Sequence, residues 1–197
     1  MKGSFLSDKK FLWFVAKFLL IFCALYFGTL AVIGLASPEG YYSPFVARYF
    51  DYVSGIKNML LLCTQWLLSL FGIKTQIEPG FLIRFVMGKS VFIAMDCVGY
   101  GVYSFWLAYV LSNTISTGKK IVWAIGGVLL LFWINVIRIA LYLTALNRNW
   151  EMPLGIDHHT WFNIAAYLAI FVMIWRFERG MRKATDEGRP TTDYNAA

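Results

Sequence analysis

The sequence predicts an all-α polytopic membrane protein: about four transmembrane helices, one interfacial or re-entrant helix and a small extracytoplasmic β-hairpin. Three observations predict it. Apolar residues make up 59% of the 197-residue chain and charged residues 15%, against roughly 45–50% and about 25% in an average soluble domain. The apolar residues fall in long blocks. The cations behind the formal net charge of +7 gather towards the two ends, as membrane flanks do. That placement excludes nucleic acid as a partner, because a nucleic-acid surface needs basic residues on one face with interleaved aromatics.

Each element follows in chain order. Residues 1–10 carry Lys2, Lys9 and Lys10 and read as a basic cytoplasmic N-terminus. Residues 11–36 are 26 residues of nearly unbroken apolar sequence, long enough at about 1.5 Å per residue to cross roughly 30 Å of hydrocarbon. The block far exceeds a signal-peptide core of about 7–15 residues, so it reads as a retained anchor. Residues 56–73 are less apolar, with Lys57, Asn58, Thr64, Gln65 and Ser69 inside the block. Residues 74–96 hold two β-rich runs, "FLIRFVM" and "SVFIAM", punctuated by Pro79-Gly80 and Gly88; they read as an extended hairpin. Residues 98–115, 121–146 and 161–177 are clean spans. One membrane-embedded catalytic domain therefore covers 11–178, and 179–197 is a polar cytoplasmic tail.

Orientation follows from Lys and Arg. The turn "STGKK" and the run Arg176, Arg179, Arg182 and Lys183 are the strongest positive loops after the N-terminus. With these inside, Cys97 and the 147–160 loop lie outside. Parity then allows only an odd number of crossings before Cys97. The 11–36 block supplies one, so 56–73 is expected to be an outer interfacial or re-entrant helix; the alternative, five spans, puts the N-terminus with Lys2, Lys9 and Lys10 outside. The expected location is the cytoplasmic (inner) membrane, multi-pass, with the site on the extracytoplasmic face.

Cys23, Cys63 and Cys97 form no CxxC pair and no even set, which argues against a disulfide oxidase. Two histidines without Cys/His ligand spacing argue against a zinc site. Three polar features remain. Arg138 lies within the 121–146 span, where an arginine costs about 2.5–3.5 kcal/mol on insertion scales. Asn135 and Tyr142 fall on its helix face, three residues before and four after. The stripe serves either a polar pocket or a snorkelling arginine that locks helices together. Cys97 follows Asp96, a good N-cap residue. A thiol at a helix N-terminus beside an arginine can be shifted towards the thiolate and made nucleophilic, against which the negative charge of Asp96 works; the bland alternative is a small apolar side chain. His158 and His159 precede the last span. Histidine is the usual proton partner of a cysteine nucleophile, and equally a helix-to-helix hydrogen-bonding group. The predicted topology brings all three features to one outer surface.

With "DCVG" at Cys97, "NVIR" at Asn135 to Arg138 and "HTWFN" at His159 to Asn163, the chain resembles the exosortase/archaeosortase family of membrane-embedded cysteine transpeptidases. The resemblance covers residues 55–178. Val98 stands where the family has a serine, and the chain is shorter than most members. On this reading Cys97, Arg138 and His159 are the expected catalytic residues, and Asn135, Tyr142 and His158 the expected contacts to the substrate; the resemblance supplies the substrate class. It implies secreted protein substrates ending in a short motif, a hydrophobic helix and a basic tail, and a membrane lipid or polysaccharide acceptor. The chemistry requires no metal or organic cofactor. Two other classes fit the residues alone: a non-catalytic membrane scaffold of an export or polysaccharide machine, and a histidine-dependent membrane acyltransferase.

Overall fold

A computed structural model describes residues 9–38, 40–150, 155 and 158–187. The chain is mostly helical. Helix α1 is Lys9–Ala36, α2 Pro44–Tyr49, α3 Tyr52–Leu70, α4 Tyr100–Ser112, α5 Thr117–Arg148 and α6 His158–Glu187. Between α3 and α4 run three short strands, β1 Thr75–Glu78, β2 Leu82–Phe85 and β3 Ser90–Phe92.

Among the described residues, α1 and α5 are long and apolar enough to cross a membrane. At about 1.5 Å per residue they extend about 42 and 48 Å. Other elements depart from expectation. Helix α4 covers only 13 residues of the 98–115 segment, about 20 Å. The cause is local: Gly99 takes a left-handed conformation, φ 78°, and breaks the helix from the turn before it. Helix α6 continues past Phe177 to Glu187, so the 178 boundary falls inside a helix. An apolarity criterion stops at the first charges, but a helix whose arginines face water does not. Helix α2 was not expected.

The expected hairpin is a three-stranded antiparallel meander in the order β1-β2-β3. Its register pairs Thr75 with Phe85 and Glu78 with Leu82, then Leu82 with Phe92 and Arg84 with Ser90. Strand β1, "TQIE", lies ahead of Pro79-Gly80 and is too short and polar to stand out in the sequence. The sheet is held at both ends. Gln65 Nε2 donates to the Thr75 carbonyl at 2.8 Å, tying β1 to α3. Asn147 accepts from the Lys89 amide at 2.6 Å and donates to the Lys89 carbonyl at 3.2 Å, tying the β2–β3 turn to α5.

Helix α5 serves two cores. Its first half packs Leu131 with Trp106 and Val110 of α4 and Ile170, Met173 and Phe177 of α6. Its second half packs Val136, Ile139, Ala140 and Leu143 with Leu60, Leu61 and Leu68 of α3 and Ile83 of β2. Helix α1 lies along α4 through a stripe of rings at four-residue spacing, Phe14, Phe18, Phe22 and Tyr26, which meets Tyr109, Phe105 and Tyr100. Tyr52 donates to Thr29 at 2.7 Å and joins α1 to α3.

The α4–α5 contact depends on a missing side chain. The Trp106 indole lies directly against Gly127 and donates to the Trp123 carbonyl at 3.0 Å. A side chain at 127 has nowhere to go. Gly127→Val is expected to destabilise the protein by about 1–3 kcal/mol through overpacking, read as a lowered thermal midpoint in detergent; Gly126→Val, where the space is open, changes it by about 0.5 kcal/mol or less.

Candidate active site

Strand β3 leads into a single 3₁₀ turn, Asp96–Val98, and Gly99 then redirects the chain into α4. Cys97 sits on this turn, not at the N-terminus of α4. The expected N-cap at Asp96 is therefore corrected: the residue before α4 is Gly99. The Cys97 and Val98 amides donate to the Ala94 and Met95 carbonyls, both at 3.1 Å. The carbonyls of Cys97 and Val98 point instead at α5. Asn135 Nδ2 donates to them at 2.8 and 3.2 Å, and Arg138 Nη2 donates to the Cys97 carbonyl at 3.2 Å. A buried carbonyl left without a donor costs about 1–3 kcal/mol, so these bonds hold the turn onto the helix.

The half-buried Cys97 opens into a cleft of about 280 Å³ lined by Ser90, Phe92, Ala94, Arg138 and Tyr142 among others. Ligand pockets run to roughly 300–1,000 Å³, so the space suits a short extended segment. The Arg138 guanidinium lies within electrostatic reach of the Cys97 sulfur and of Tyr103. On the other side of Asn135, a cavity of about 10 Å³ is bounded by Gly99, Tyr103 and Ala166, room for about one water molecule. The Tyr103 hydroxyl lies beside the buried Asn135 side chain, and neither it nor Asn135 Oδ1 meets strict hydrogen-bond geometry.

Four of the six residues singled out from the sequence thus come together: Cys97, Asn135, Arg138 and Tyr142. Two do not enter the geometry. His158 and His159 open α6, but their side chains lie outside the described residues, as does that of Asp96. Cys23 is exposed and Cys63 packs partly against the α3–α5 core; neither lines the cleft. Among the described residues no three His, Cys, Asp or Glu gather as a metal-binding set.

Sequence reasoning missed Lys57. This α3 residue is 2% exposed, with its ammonium 4.6 Å from the Phe81 ring centroid and 5.7 Å from that of Phe92. Burial pushes it below the usual lysine range, opposed by the charges of Asp51 and Cys97. The signal was present: Lys57 is the sole charged residue in the 56–73 block.

Compared with known proteins, the chain matches no family model, no curated protein and no solved structure.

The Asn135 tether is directly testable. Asn135→Leu removes both Nδ2 bonds and keeps the bulk; Arg138 still donates to the Cys97 carbonyl, so the Val98 carbonyl is left unpaired, at an expected cost of about 1–3 kcal/mol. Thermal unfolding in detergent reads the loss, and faster proteolytic cutting near residue 97 reports the loosened turn.

Proposed function

We propose that the protein is a membrane cysteine transpeptidase that cleaves C-terminal sorting signals of exported proteins and transfers the new carboxyl end to an acceptor. One observation carries the reading: a cysteine and an intrahelical arginine, 41 residues apart in the chain, meet in one cleft with a polar helix stripe behind them. The likeness of "DCVG", "NVIR" and "HTWFN" to the exosortase/archaeosortase family supplies the substrate class. In this reading four helices cross the inner membrane, α1, α4 with its preceding turn, α5 and α6, while α3 lies outside the spans and the cleft faces away from the cytoplasm.

The Cys97 sulfur attacks the scissile carbonyl and its proton passes to His159. The tetrahedral intermediate collapses to a thioester, and His159 returns the proton to the leaving amine. An acceptor nucleophile, a membrane lipid or polysaccharide group, then displaces the sulfur; water in its place gives hydrolysis. Arg138 faces the charge that develops on sulfur and on the oxyanion, where a fixed cation in a water-poor site counts for more than in bulk water. Asn135 keeps the nucleophile turn in register. Tyr142, on the cleft wall, and His158 contact the substrate.

The test is processing of an exported reporter that ends in a hydrophobic helix and a basic tail, read as a mass shift, with membrane abundance followed in parallel. Cys97→Ala and Cys97→Ser are expected to abolish processing at normal abundance, and Arg138→Lys to slow it by about 100-fold or more. Processing retained in Cys97→Ala but lost in His159→Ala would mean a histidine-dependent acyl transfer instead. Loss of abundance in Arg138→Ala, with processing intact in Cys97→Ala, would mean a scaffold.

A further inference from the structure

Lys57 is a charge where none is expected. The residue is 2% exposed. Among the described residues it has no hydrogen bond or ion pair, and the rings of Phe81 and Phe92 are what it faces. Buried charges are normally paired with an opposite charge, and replacing one by an apolar group of similar volume is often stabilising. Methionine would fill this space at no electrostatic cost. A lysine kept here calls for a use.

The geometry supplies one. Phe92 is a wall of the Cys97–Arg138 cleft and also faces the Lys57 ammonium. The ammonium is therefore set behind the cleft wall, with the Phe92 ring bordering both, and the charge of Cys97 acts on it after that of Asp51. Arg138 reaches the same cysteine from α5. We propose that Lys57 is a positioning residue for Cys97, a fixed positive charge on α3 that, together with Arg138 on α5, holds the negative charge that develops on the sulfur when it acts as a nucleophile. This rests on the reading of Cys97 as the nucleophile. The ammonium faces two rings and makes no direct ion pair among the described residues. Asp51, the N-cap of α3, is the acid whose charge reaches Lys57. The other ionisable groups that line the cleft with Cys97 are Arg138 and Tyr142 from α5, and Tyr103 from α4 acts on Arg138. From the sheet the cleft receives Ser90, Val91 and Phe92, none of them ionisable. The side chains of Asp96, His158 and His159 lie outside the described residues.

The experiment uses the full chain with Cys23→Ala and Cys63→Ala, purified in detergent, and follows alkylation of Cys97 by iodoacetamide from mildly acidic to alkaline pH. Lys57→Met is expected to slow alkylation about tenfold at neutral pH, to displace the rate profile to higher pH, and to leave the thermal midpoint unchanged or raised. Lys57→Arg, which restores the charge, is expected to keep the parent profile. Should Lys57→Met fail to accumulate, Lys57→Gln is read in the same way. A folded neutral variant with the parent profile overturns the proposal. So does an equal displacement in Lys57→Arg, or failure of both neutral variants to fold, since each makes the residue structural. No substrate enters the assay, so the two readings fail separately: a reporter still processed by Cys97→Ala sinks the transpeptidase, while an unchanged alkylation profile in Lys57→Met sinks only the role of Lys57.

Discussion

Two carbonyl groups on a short turn constrain the rest of the structure. The chain leaves β3 and must enter α4 within a few residues, and it does so through a 3₁₀ turn closed by a left-handed glycine. That geometry turns the carbonyls of Cys97 and Val98 inward, towards a helix whose neighbours are leucine, isoleucine and valine. Only a side-chain donor from α5 can satisfy them. Asn135 is that donor, 1% exposed and bonded to both. The turn, the helix and the seam between two cores are thereby joined at the Asn135 amide, with Arg138 adding a second bond to the Cys97 carbonyl.

The position of Asn135 along α5 explains why a site forms there at all. Before it, α5 packs on α4 and α6; after it, on α3 and the sheet. Neither core covers the seam completely, and a cleft remains on one side with a one-water cavity on the other. A long helix spanning both cores is rigid enough to hold Arg138 in the cleft while Asn135, one turn earlier, holds the backbone of its neighbour. The sheet completes the enclosure. Its β2–β3 turn is fastened to Asn147 at the far end of the same helix, so β3 and the cleft wall it provides move with α5.

Much of this was legible in the sequence, and the boundary of legibility is physical. Long apolar blocks announce α1 and α5, because length and hydropathy are local properties. The stripe of Asn135, Arg138 and Tyr142 is equally local, since residues three and four apart share a helix face. The ends of α4 and α6 were misjudged for opposite reasons. Gly99 stops a helix that apolarity would extend, and charged residues after Phe177 extend a helix that apolarity would stop. Strand β1 escaped because four alternating residues carry little signal. Lys57 escaped for a deeper reason: in one dimension it only lowers the apolarity of its block, and its relation to Cys97, 40 residues on, exists only when α3 is laid against α5. The place of Tyr103 beside Asn135 is tertiary in the same way.

The distribution of charge around Cys97 sets limits on the chemistry the cleft can support. A single arginine inside a span is readily explained as a structural tie, because its long side chain can find carbonyls, and Arg138 does find one. A second cation on a separate helix, set against two rings and reached by the charge of Asp51 without a direct ion pair among the described residues, is harder to explain in that way. Coulomb interactions strengthen as the effective dielectric falls, so both cations favour anionic species in the cleft and oppose cationic ones. In the proposed reaction, an intermediate with charge on sulfur or oxygen suits that field. The cost of keeping Lys57 unpaired and the benefit to an anionic intermediate have the same origin, the removal of water from around a charge. On that account, the feature that makes Lys57 unfavourable for stability is the one that would make it useful to a nucleophilic thiol.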